Sequence, residues 1–243
     1  MTIVGGALVT RVPRTGDLGD GATLPAVDWE AHAEREEERY REGLARLPSE
    51  PDRRQKQLVR AAMGAGGAGL ARLMQGRRGE AAGWFARSAE RYRESYEDAP
   101  AGSWGRLIGA LKSRILAGDW EGAADDARWA LDERPAESGS AIGVYAAGLA
   151  CLTLGDAAET ARLASRLQTA DFPEAVADAL AALAAHDGEA YADAAARVLD
   201  SFATREAYLE DIPVADTVLV LEALAARRSL AAGLVSPLLP EPA

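Results

Sequence analysis

Helix-length, alanine-rich stretches joined by a recurring glycine–acid pair leave this chain little choice of fold. The pair appears as Gly79-Glu80, Gly118-Asp119, Gly155-Asp156 and Gly188-Glu189. A glycine can take the positive φ that closes one helix, and an acid can cap the free N–H groups that open the next. The acid also meets the positive end of the helix dipole. The glycines stand 39, 37 and 33 residues apart, room for two helices and their turns. Joints this short force neighbouring helices to run antiparallel.

The spacing predicts helices over about 56–75, 80–96, 104–117, 119–133, 139–154, 156–168, 174–186, 189–204 and 212–228. Asp211-Ile212-Pro213 reads as the start of the last, with proline in the first turn. An additional helix opens at Asp28, a good N-cap, and stops at Pro48-Ser49-Glu50-Pro51. Trp29, Ala33, Tyr40 and Leu44 mark its apolar face, and Glu34 to Arg39 reads as a solvated face of intrahelical ion pairs. Before it, Gly5-Gly6, Pro13, Gly16, Gly19, Gly21 and Pro25 break any helix. The chain therefore divides into an irregular or extended arm (1–27), a helix and linker (28–55), a helical-repeat domain (56–230) and a proline-containing tail (231–243). The fold class is all-α, an antiparallel helix-hairpin solenoid of right-handed stacking.

Charge narrows the partners. The net charge is −11 with a pI near 4.8. Such a chain repels a nucleic-acid backbone and an anionic membrane, and it favours a basic protein partner. A lone cysteine excludes an internal disulfide. Met1–Val12 lacks the basic start of a signal peptide, and no apolar run reaches the length of a membrane span. The expected location is the cytoplasm.

The chemistry-bearing patterns point to packing. Gly64-Ala65-Gly66-Gly67-Ala68-Gly69 matches a dinucleotide fingerprint, but Asp52 to Gln57 before it make no buried strand. The glycines read as a close helix contact. Two histidines, His32 and His186, and one cysteine are too few for a zinc site. Cys151 sits among Leu149, Ala150 and Leu152 with no local base, so it reads as a buried structural thiol. Asp125-Asp126 and Glu210-Asp211 read as solvated faces or caps. No catalytic, cofactor or metal residue is assigned, and no enzymatic activity is expected.

The tryptophans are more informative. Trp104, Leu107, Ile108, Leu111 and Ile115 form one core stripe. Trp120, Ala123, Ala127 and either Ala130 or Leu131 define the inward face of the next helix, which leaves Trp129 to point outward. Trp129 and Arg128 are the candidate partner-binding residues, because exposed tryptophan and arginine are common binding anchors.

Two resemblances follow from quoted residues. Residues 104–135 resemble a degenerate tetratricopeptide repeat: Gly118-Asp119-Trp120-Glu121-Gly122-Ala123 matches its inter-helix turn, and Ala130 and Pro135 match its later alanine and closing proline. Ala147-Gly148 resembles the small pair of a first helix, whereas Leu111 and Thr160 depart from the pattern. Val9-Thr10-Arg11-Val12-Pro13-Arg14 resembles the opening of the immunity protein forty-nine family of bacterial toxin systems. Asp187 to Tyr191, the following helices and Leu238-Leu239-Pro240 resemble its C-terminal layout. That resemblance implies a cytoplasmic protein that neutralises a toxin by direct binding. The leading expectation is a protein-binding adaptor or neutralising partner. The alternatives are a small-ligand protein or enzyme on the same helices, and a homodimer through Val214, Val218, Leu221 and Leu224.

Overall fold

The computed structural model describes residues 27–205, 208 and 212–241. The arm, up to residue 26, lies outside these residues, as do Glu210 and Asp211. The described chain is all-helical, without a strand. Its helices are α1 (Trp29–Ala45), α2 (Pro51–Met74), α3 (Arg78–Tyr96), α4 (Trp104–Ala117), α5 (Trp120–Asp132), α6 (Ala141–Leu154), α7 (Ala157–Gln168), α8 (Glu174–Ala185), α9 (Gly188–Ala203) and α10 (Asp216–Ala226). A 3-10 turn, Pro135–Ser138, joins α5 to α6. From α1 to α9 each helix packs on the next in chain order. In addition α4, α6 and α8 touch one another in succession. No described helix is long and apolar enough to cross a membrane.

Side-chain caps fix the helix starts. Asp28, Asp119, Asp156 and Asp187 each accept the N–H of the residue three positions on. Gly118 and Gly155 close α4 and α6 at φ of +72° and +83°. The other two glycines of the pattern play a different part. Gly79 lies inside α3, and Gly188 is the first residue of α9. The left-handed positions there are Gly76 (φ +74°) and His186 (φ +55°). Histidine tolerates that region better than most side chains, so a glycine count alone misplaces two of the four joints.

Three other expectations change. Residues 51–55 belong to α2, not to a linker: Glu50 accepts the N–H groups of Asp52 and Arg53, and Pro51 occupies the first turn. The last helix begins at Asp216, after Ile212–Ala215, and the Ala215 N–H donates to the Leu238 carbonyl. The supposedly solvated face of α1 is partly interior, because Glu36 and Glu37 are buried. Arg72 of α2 donates through Nε and Nη2 to Glu37 Oε1 at 3.0 and 2.7 Å, and Arg39 pairs with Glu36 at 2.6 Å. Glycines on α2 permit this approach. A Cβ on Gly67 would stand 3.0 Å from Glu36 Cγ, and one on Gly64 would stand 3.2 Å from the Glu36 carbonyl. The fingerprint-like run lies wholly within α2 and serves helix contact.

The C-terminal helix is not a free dimer face. Val214, Val218, Leu221 and Leu224 are buried by the chain's own residues. Here α10 packs against α4 and α9, and Arg228 just beyond it donates to the Leu152 carbonyl at the end of α6. The residues that follow are held as well. Ala232 and Gly233 donate to the Glu222 carboxylate at 3.1 and 3.0 Å, and Leu239 is buried.

Candidate functional site

Trp129 is half-buried on α5, and Arg128 beside it is exposed. Trp129 meets Tyr96 of α3 edge to face, with ring centroids 5.2 Å apart at 88°. The Arg93 guanidinium lies 4.8 Å above the Trp129 ring. A similar unit stands between α1 and α3: Tyr40 meets Trp84 at 5.5 Å and 86°, and Arg87 lies 4.7 Å above that indole. Such edge-to-face and cation–π contacts hold the tryptophans in fixed orientations.

Charge arranges the rest of the first unit. Arg93 is half-exposed and pairs with Asp126, whose other oxygen accepts Arg114 Nε at 3.4 Å. Asp126 is 3% exposed, so it is a buried anchor rather than part of a solvated face. Its neighbour Asp125 is exposed and takes Arg128 at 2.7 Å. Tyr96 donates to Glu133 at 3.1 Å. Burial, with Glu133 beside it, pushes the Tyr96 hydroxyl up to about 12. The sequence leaves Trp129 pointing outward, but its ring is half-buried, packed on the core and on Tyr96, while Arg128 is exposed. The partners Tyr96, Arg93 and Asp126 were not legible in the sequence, because they arrive from another helix or look like an ordinary acidic face.

The second feature is a cavity of about 240 Å³ between α2, α3, α4 and the segment leading into α10. Met63, Gly66 and Leu70 line one side, and Ile108, Gly109 and Lys112 another. Lys112 donates to Asp216 Oδ2 at 2.5 Å, which ties α4 to the first turn of α10. Burial opposes the Lys112 charge, but Asp216 and Tyr145 outweigh it and hold its pKa above the ordinary value. The available signal was Lys112 itself, one of only two lysines in an arginine-rich chain, placed on an apolar helix.

The other polar candidates fall into structural places. Cys151 is buried, and that burial, with Asp156 and Glu159, pushes its thiol up to about 11, away from nucleophilic use. His32 lies against Trp29 and Arg35, and His186 forms the end of α8. Among the described residues no group of His, Cys, Asp and Glu could hold a metal ion. Comparison with family models, with curated proteins and with solved structures returns no match.

Proposed function

We propose that this chain is a non-enzymatic, protein-binding helical-repeat protein, acting as an adaptor or a neutralising partner. Its helices form a right-handed solenoid of antiparallel hairpins, related in design to tetratricopeptide repeats. Succession of packing along the chain, the short capped joints and the repeat-like residues 104–135 support that reading. In such a solenoid α10 covers the face of α4 that would otherwise be open, so the binding surface lies elsewhere.

One observation carries the binding role: a tryptophan held rigid by Tyr96 and Arg93, with exposed Arg128 beside it, at the surface of α3 and α5. Preset aromatic and arginine side chains lose little freedom on binding, which is why they dominate interface energies. The net charge of −11 selects a basic partner. A basic toxin is the sharpest form of that partner, and the immunity-family resemblance supports it.

The test is affinity capture from the native lysate with the wild type and with Trp129→Ala and Arg128→Glu. One protein should be enriched by the wild type and bound at least tenfold more weakly by each variant, at unchanged far-UV dichroism. A partner retained equally by both variants, or none at all, would remove this surface from the function.

A further inference from the structure

Away from Trp129 and Arg128, five helix termini meet around one open cleft of about 480 Å³, the size of a small-molecule site. Leu73 lies in the last turn of α2, and Leu116 in that of α4. Arg78 is the first residue of α3, and Trp120 that of α5. Ala223 lies in the last turn of α10, and Arg227 caps it.

The polar side chains of the lining are of one kind. Arg78, Trp120 and Arg227 are donors only, and every other lining residue has an apolar side chain or none. No carboxylate lines the cleft, although acids outnumber bases in this chain by 38 to 27. Among the described residues neither guanidinium makes an ion pair or a hydrogen bond. The acids near them in sequence are committed elsewhere. Glu80 faces Arg72 and Arg77 at 3.6 and 3.8 Å, Asp119 holds Arg114 at 2.9 Å, and Glu222 accepts Tyr191 at 2.6 Å. Arg227 is also held in place, its guanidinium 4.4 Å from the centre of the Trp120 ring. That contact uses the face of the guanidinium and leaves its in-plane N–H groups to a ligand.

Backbone dipoles do not reverse the sign. The ends of α2, α4 and α10 bring roughly half a negative charge each, and the starts of α3 and α5 roughly half a positive charge each. The small remainder is outweighed by two full guanidinium charges. The chain's net charge acts from further away and is largely screened beyond about 8 Å at physiological salt.

We infer that this cleft binds a small organic acid with an apolar body. Its carboxylate meets the guanidinium of Arg227, Arg78 adds charge from the α3 side, and the body lies on Leu73, Leu116 and Ala223. Chemical-shift titration of the full chain, followed at the Trp120 indole N–H, tests this with 3-phenylpropanoate, 3-phenylpropanol, 3-phenylpropylammonium and acetate. The phenylpropanoate should bind saturably, and each of the other three at least fivefold more weakly. Arg227→Gln should weaken phenylpropanoate at least fivefold and leave the alcohol within twofold. Ala226→Glu places an anion on an exposed, lining position of α10 while keeping both arginines, and should have the same effect. It keeps the test decisive if Arg227→Gln does not fold. No phenylpropanoate binding, equal affinity for the alcohol or the ammonium, or acetate bound as tightly would each overturn the proposal. So would phenylpropanoate affinity unchanged in either folded variant.

Discussion

Single residues carry unequal weight in this molecule, and Asp126 shows why. Its carboxylate is buried and holds Arg93 and Arg114 at once. Asp126→Ala removes the anion shared by Arg93 and Arg114 and leaves Arg114, four-fifths buried, with Asp119 at 2.9 Å as its remaining carboxylate partner. The expected cost is about 2–3 kcal/mol, read as a lowered urea midpoint, while Asp125→Ala should change stability by under about 0.5 kcal/mol. In sequence the two aspartates are indistinguishable, since the difference comes from helices that meet only in the fold. The tyrosines make a second prediction. Tyr96 is pushed up to about 12, and Tyr145, Tyr191 and Tyr208 are also raised, each chiefly by burial. An acid with a raised folded pKa keeps its proton longer in the folded state. The stability this gives is complete below the unfolded value of about 10 and declines as pH rises through 12. Urea midpoints should therefore fall steeply from pH 10 to 12, and Tyr96→Phe should make the decline shallower.

At the scale of the element, caps and left-handed positions decide where helices stop. Gly118 and Gly155 have positive φ, so alanine at either should cost about 1–2 kcal/mol. Gly79 is helical with nothing within 4 Å of a Cβ, so Gly79→Ala should stabilise by about 0.5–1 kcal/mol. Thermal melts of the three variants separate true joint glycines from one that only resembles them. Helix positions from α3 to α9 were legible within about three residues, because apolar periodicity and aspartate caps act locally. The early start of α2 was hidden by Pro51, which reads as a breaker yet suits a first turn. The interior place of Glu36 and Glu37 was hidden because it depends on Arg72 and on glycines of the facing helix. The late start of α10 depends on Leu238, more than twenty residues away, which accepts the Ala215 N–H.

The whole molecule is organised by its C-terminal segment. Val218, Leu221 and Leu224 are buried against the helices before them, and the pairs Lys112–Asp216, Tyr191–Glu222 and Arg228–Leu152 tie the segment down at separate points. A chain ending at residue 211 should expose that core and lose cooperative unfolding, detected as a broadened melt with dye binding. With α10 packed on α4, the partner surface we propose is that of α3 and α5. Hydrogen exchange of the chain with and without its captured partner examines this directly. Slowed exchange concentrated in residues 91–98 and 125–134 is the expected result. Unchanged exchange there, with protection confined to α2, α4 and α10, would contradict a function exercised through Trp129 and Arg128.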